Sequence, residues 1–373
     1  MNRFFFRFLC LLLVTCSMLP LAANAGSREQ SYERAMVEKV GLENQANVQG
    51  GQLIETYEVR FLSGPFKNQV KNISADVNSN PYGLKPTVGD KVVIFVQADF
   101  STHTEHFFLE GFDRRMAVLW LVILFVLTLV LLSGWQGVKV AFSIGISIVL
   151  IGTVLIPLFL RGVNPVPVAI ILGGVFVLIS TGLSIGWNKR TYVTAIGTMG
   201  GALVAFIISW IFSSWMHLNG LSSEEDRLFF GNNPNLNPRG ILFAGIIIGS
   251  VGVVEDVAVS IVSGVSEVKR HKPNASFKEL FSSGMTVGRD HMGALANTLV
   301  FAYVGGSLSS LLLYQQFKSS WLKFINFDTV VDEILRSLAG TIGLIFTVPI
   351  TALLAAWALR HDKGLAKTHF HKH

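Results

Sequence analysis

The sequence predicts an α-helical polytopic membrane protein of about seven transmembrane helices, with a small extracytoplasmic β-domain at its N-terminus. Three observations carry this. Of the 373 residues, 51% are hydrophobic and only 14% are charged. Soluble domains carry about one quarter charged residues. Apolar runs of about 20 residues, enough to span a bilayer, recur after Arg114-Arg115. Before that point, residues 26–113 alternate apolar and polar positions between turn signals. Mean hydropathy is +0.52. The net charge of +6 is scattered along loops and ends, which suits topology signals and not a nucleic-acid surface.

Residues 1–25 read as a signal peptide. Arg3 and Arg7 precede an apolar run, and Ala23-Asn24-Ala25 supplies a small-x-small cleavage site. The alternative is an uncleaved anchor helix. Thr15 before Cys16 fits a lipoprotein site poorly. Cys10 and Cys16 are the two cysteines of the chain. Cleavage would therefore leave a mature protein without disulfides, thiolate metal sites or cysteine nucleophiles.

Residues 26–113 contain VEKVGLENQANV, QLIETYEVRFLSG and DKVVIFVQAD. Gly50-Gly51, Gly64-Pro65, Asn80-Pro81 and Gly89-Asp90 interrupt them, which predicts a small β-barrel or sandwich. Asn72-Ile73-Ser74 is a glycosylation triplet of a kind frequent by chance. His103, Glu105 and His106 have metal-ligand character, but a solvated loop is the better reading.

Residues 114–360 form the helical bundle. Candidate spans are 116–134, 139–160, 165–185, 193–215, 240–263, 291–314 and 337–359. An exported N-terminal domain then leaves residues 361–373 as a basic cytoplasmic tail. Twelve Lys and Arg fall in the proposed inner segments and eight in the outer ones, as the positive-inside rule requires. Ser276-Phe277-Lys278-Glu279 is a capping box, and predicts an interfacial helix bearing Phe277, Leu280 and Phe281 on one face. Trp321, Phe324, Ile325 and Phe327 read as a headgroup-level anchor.

The fifth span holds two adjacent acids, Glu255 and Asp256. A charge at a helix centre costs about 2.5–3.5 kcal/mol on insertion scales. Asp256 shares a helical stripe with Gly245, Gly249, Gly252, Ser260 and Ser263. Small stripes admit close helix approach, so Asp256 is expected to face another helix. Glu255 lies on a more lipid-like face with Val251, Val259 and Val262. The sixth span runs antiparallel and carries Asp290, Gly293, Ala294, Asn297 and Thr298 on a related face. Asp256 and Asn297 both fall roughly 10–15 Å from the inner surface. Ser263 would approach Asp290, with Arg289 as a counter-charge. The structural reading is a hydrogen-bonded helix bridge. The functional reading is a polar path, which intramembrane ionisable groups favour.

GVVEDVAVSIVSGVSE and SSGMTVGRDHMGALANTLVFAYVGG resemble the YibE/F-like family of bacterial membrane proteins. There a D-V-A-x-S-I stretch is followed by G-R-D-x-x-G-x-x-x-N-T-L, matched here by Asp256 to Ile261 and Gly288 to Leu299. The likeness extends from about residue 35 to 360. It implies a bacterial inner-membrane location, and marks Asp256, Ser260, Arg289, Asp290 and Asn297. Glu255 is less firmly part of the motif. The family brings no settled activity.

No GxxxxGK[ST], HExxH or GxSxG motif occurs, and no catalytic, cofactor or metal residues are assigned. An intramembrane aspartyl protease would pair Asp256 with Asp290, but Arg289 and the shallow depth of Asp290 argue against it. His369, His371 and His373 read as part of a solvated tail. The expected function is a secondary transporter or exporter, open to proton or cation coupling. Its polar site lies between the fifth and sixth spans, at Asp256, Ser260, Ser263, Arg289, Asp290, Asn297 and Glu255. The alternative is a membrane scaffold displaying its outer β-domain. Expected partners are the bilayer and an unnamed solute or ion, with a homo-oligomer left open and no nucleic acid.

Overall fold

The computed structural model describes residues 30–44, 53–76, 84–99, 104–316 and 320–360. The signal-peptide segment with Cys10 and Cys16, the turns at Gly50-Gly51 and Asn80-Pro81, His103 and the tail 361–373 lie outside the described residues. The chain divides into two compact units at Leu131 and Leu132.

The first unit contains β1 (Gln30–Asn44), β2 (Leu53–Phe61), β3 (Val70–Asp76), β4 (Lys91–Asp99) and β5 (Thr104–Phe112). They form one antiparallel sheet in the order β3-β2-β1-β4-β5. Alternation decides which face is inside: Val37, Tyr57, Val59, Phe61, Ile73, Val92, Ile94 and Val96 are buried in a single core. The expected sandwich is corrected, because one sheet supplies every strand of that core. The sheet curls, since Lys71 on edge strand β3 lies 5.9 Å from the Phe107 ring on the other edge strand, β5. The Gly64-Pro65 turn has a steric cause. Gly64 sits at φ +72°, and a Cβ there would fall 2.0 Å from the Glu33 carboxylate. Buried Glu33 accepts a 2.7 Å bond from Ser63 Oγ. His106 stacks on Phe108, and no cluster of three metal-type ligands exists among the described residues.

The helices are α1 (Arg115–Leu150), α2 (Ile156–Leu160), α3 (Pro165–Ile185), α4 (Lys189–Trp215), α5 (Glu224–Asn232), α6 (Pro238–His271), α7 (Phe277–Gly306), α8 (Leu308–Gln316), α9 (Trp321–Ile325) and α10 (Asp328–Leu359). A π-turn over Ile151–Leu155 joins α1 to α2. Five helical stretches among the described residues are long and apolar enough to cross a membrane: Arg115–Leu160, α3, α4, α6 and α10. The expected count of seven is not reached by length and hydropathy alone. Its first two spans merge into the 46-residue stretch Arg115–Leu160, broken by non-helical Gly134 (φ 56°, ψ −134°).

The expected sixth span and interfacial helix are corrected together. The Ser276/Glu279 capping box is present, but it opens the 30-residue helix α7. Leu280 is fully buried in the core, with Val257 and Ile261 of α6 and Leu344 and Val348 of α10. The helix then stops at Gly306, inside the expected span 291–314.

Candidate polar groove along α6 and α7

Helix α6 is built for a membrane end to end. Asn237 caps it by accepting from the Gly240 N–H at 2.9 Å, and Pro238 occupies its first turn. Lys269, Arg270 and His271 close it, complementing the negative end of the helix dipole. Its buried ridge includes Ile247, Val251, Val254, Ala258, Ile261 and Val265.

That ridge reverses the expected roles of the two faces. Val251 and Val262, read as lipid-facing neighbours of Glu255, are 4% and 0% exposed. Glu255 is half-buried and faces the Ser180 hydroxyl of α3. Asp256, expected against a helix, is exposed together with Gly249, Gly252 and Ser263. Branched aliphatic side chains fill the helix contacts, and the small residues leave space beside them. A Cβ added at Gly252 meets nothing within 4 Å. Ser260 is half-buried, and its hydroxyl donates to the Asp256 carbonyl at 2.9 Å.

Helix α7 packs by its own glycines. A Cβ at Gly284 would lie 2.9 Å from Ala352 Cβ, and one at Gly288 would lie 2.3 Å from Val348 Cγ1. Gly288, the first residue of the GRD stretch, is therefore a packing position, and it turns Arg289 and Asp290 to the exposed side. Asn297 and Gly293 are also exposed, and a Cβ at Gly293 would meet nothing within 4 Å. Two close approaches fix the antiparallel register: a Cβ at Gly264 would lie 2.9 Å from Val287 Cγ2, and one at Gly249 would lie 3.2 Å from the Tyr303 hydroxyl. They put Asp256 level with Leu295 and Ala296, and Ser263 level with Gly288 and Arg289; Asn297 stands about half a turn around α7 from buried Gly288, on the exposed side of that helix. No hydrogen bond or ion pair between side chains joins Asp256, Arg289, Asp290 or Asn297 to one another among the described residues.

The upper end of the groove holds a cluster that sequence reasoning missed. Arg336 of α10 places Nη1 3.1 Å from where a Cβ of Gly245 would be. Its Nε is buried without a hydrogen-bond partner and lies 3.8 Å from Glu333 Oε2. Asp332, one turn earlier, is 4% exposed, and its Oδ1 has no hydrogen-bond partner. The two upper glycines of the α6 stripe thus make room for a guanidinium and a phenol, not for close backbone approach. The signal available was the Asp332/Arg336 pair at i, i+4 ahead of an apolar run, which reads at first as a topology charge. From Gly245 to Ser263 the stripe rises about 27 Å, close to the roughly 30 Å thickness of a hydrocarbon core.

At the other end, ahead of the apolar part of α7, Glu279 accepts from the Ser276 N–H at 2.7 Å and pairs with Lys272. The Lys272 ammonium and the Ser276 donors hold its carboxyl down to about 2.

Apolar helices joined by small residues, with ionisable groups on exposed faces of two of them, define a multi-pass membrane protein whose helices contact lipid. Residues 121–361 match the YibE/F-like protein family, and the chain belongs to that family. Both motifs, Asp256 to Ile261 and Gly288 to Leu299, lie inside the match. The β-sheet lies before it, so the likeness expected from residue 35 onward begins at residue 121. No curated protein and no solved structure matches the chain.

Proposed function

We propose that the protein is a secondary transporter or exporter of the bacterial inner membrane, coupled to a proton or cation. Its solute path is the α6/α7 groove. The observation that carries this reading is the open polar face. Asp256, Gly252 and Ser263 on one helix, and Asp290, Gly293 and Asn297 on the other, are exposed at matching heights. A helix bridge would have left these groups packed and bonded to each other. Asp256 is the coupling acid at mid-depth, Asn297 a neutral polar group at a similar height on α7, and Arg336 with Tyr303 forms the outer end. Arg289 and Asp290 line the inner end. The β-sheet lies outside the cytoplasm and the C-terminus inside, and seven crossings require α1 to turn back at Gly134 and α7 to cross despite its lower hydropathy.

Proteoliposomes holding the full chain and an entrapped pH-sensitive dye test the coupling. An imposed potential should drive proton entry through the wild type. Asp256→Asn and Asp256→Ala should both abolish it, with Asn leaving membrane expression normal. Retained flux in Asp256→Asn would reject the coupling role. Absence of flux in the wild type, with Ala lowering protein levels and Asn not, would favour the scaffold reading.

A further inference from the structure

On the opposite side of α4 from its α10 seam, α3 and α4 leave an open apolar groove of about 470 Å³. Ile170, Gly174 and Leu178 line one wall, and Tyr192, Ile196 and Gly200 line the other. Gly174 hollows it, since a Cβ there would come no closer than 3.9 Å to Met199, whereas Gly200 at its edge packs against Ile350 of α10. Exposed Ile171 and Ile196 beside it, at 65% and 59% exposure, show that this face belongs to the bilayer side. Along α4 the groove runs from Tyr192 to Leu203, which is about 16 Å of helix, one leaflet of a roughly 30 Å hydrocarbon core.

One end is chemically different from the other. Lys189 continues the Tyr192, Ile196 and Leu203 face at helical spacing, and Arg190 stands beside it. Trp187 is 64% exposed at the same end, in the position of an interfacial aromatic. An apolar slot one leaflet long, with cations and aromatics at a single end, has the chemistry of a lipid and not of a water-soluble ligand. We propose that this groove holds the acyl chain of an anionic phospholipid whose headgroup sits at Lys189 and Arg190. The positive-inside rule makes it a lipid of the inner leaflet. The site is separate from the α6/α7 groove; it rests on the chain's being membrane-embedded, and its leaflet on the orientation proposed above.

Native mass spectrometry of the full chain, purified in neutral detergent and offered equimolar phosphatidylglycerol and phosphatidylcholine, tests it. The wild type should retain one phosphatidylglycerol in preference to phosphatidylcholine. Lys189→Gln should lower phosphatidylglycerol retention about fivefold, the worth of one cation at a membrane surface, and leave phosphatidylcholine unchanged. Filling the groove with Gly174→Phe, or with Ile196→Trp at an exposed position, should lower retention of both lipids while helical circular dichroism stays intact. Equal retention of the two lipids by the wild type, or an unchanged ratio in Lys189→Gln, would overturn the headgroup assignment. Unchanged retention in both groove-filling variants would overturn the site.

Discussion

Two small-residue stripes in this bundle do opposite things. At the α4/α10 seam, glycine lets helices close. A Cβ at Gly201 would lie 1.7 Å from Thr347 Oγ1, and one at Gly197 would lie 2.3 Å from Thr351 Oγ1. Around this seam Thr194, Thr198 and Thr351 are fully buried, with hydroxyls that find no partner among the described residues. On the α6/α7 face, glycine keeps helices from filling space: Gly252 and Gly293 have nothing near them, and the polar residues beside them are exposed. Sequence spacing alone describes both as small-xxx-small. The difference lies in the opposing helix, which offers threonines and Gly343 in one case and open space in the other.

The largest effect should come from closing the seam's tolerance. Gly201→Ala forces α4 away from Thr347 and from the Gly343 carbonyl, 2.9 Å from the new atom. It should destabilise the bundle by about 3 kcal/mol, the upper end of overpacking costs. Thermal unfolding in detergent would show it, with Gly252→Ala as the unaffected control. A comparable shift in both variants would erase the contrast between the stripes.

Next in size is Gly64→Ala in the sheet unit. The left-handed backbone costs roughly 1–2 kcal/mol for a residue with a Cβ, before Glu33 is displaced. Amide exchange in β1 and β2 of the full chain should accelerate while α6 and α10 are unchanged. Unaltered exchange in β1 would show that Glu33 moves aside freely.

Smaller still is the acid end of α7. Because Glu279 is held below the ordinary carboxylate range, its contribution is fully present above pH ~4.3. That contribution is lost as pH falls toward about 2. Pepsin, active in that window, should cut around Phe277 and Phe281 increasingly as pH drops. Glu279→Gln should be cut readily at every pH in the window, and a parallel pH profile in both proteins would refute the link.

The smallest effect tests the seam's hydroxyls. An unpartnered buried hydroxyl carries a desolvation penalty, so Thr198→Val should leave stability unchanged or raise it by roughly 1 kcal/mol. A clear loss would reveal a hydrogen bond or bound water at that position.

How far the sequence carried these conclusions varied by element. Strand alternation made the sheet's inner face legible at Val92, Ile94 and Val96, because a period of two leaves only one choice of side. Hydropathy marked α3, α4, α6 and α10 by length. At α7 it marked only the second half, from residue 291, because Arg289, Asp290 and His291 sit mid-helix and dilute the apolar signal. The capping box at Ser276 marked the true start of that helix. That Asp256 and Asn297 stand at similar heights on their two helices was legible from the helix rise alone. The facing of Asp256 was not. Helical spacing separates two faces, but valines and glycines can both meet a neighbour, and only the packed structure shows which does. Arg336 was hidden for a related reason: its partner surface is the absence of a side chain at Gly245.

The central claim is that the α6/α7 groove is a wet path and the α4/α10 seam is a dry contact. Single cysteines settle it, in a full chain with Cys10 and Cys16 replaced by serine. Gly252→Cys, Asp256→Cys and Asn297→Cys should react with a charged, water-soluble thiol reagent in intact membranes, while Thr198→Cys and Thr351→Cys should stay unlabelled until the protein is unfolded. If Gly252→Cys and Asn297→Cys resist the reagent as firmly as Thr198→Cys does, the groove faces lipid or a neighbouring helix, and the transport path along it is contradicted.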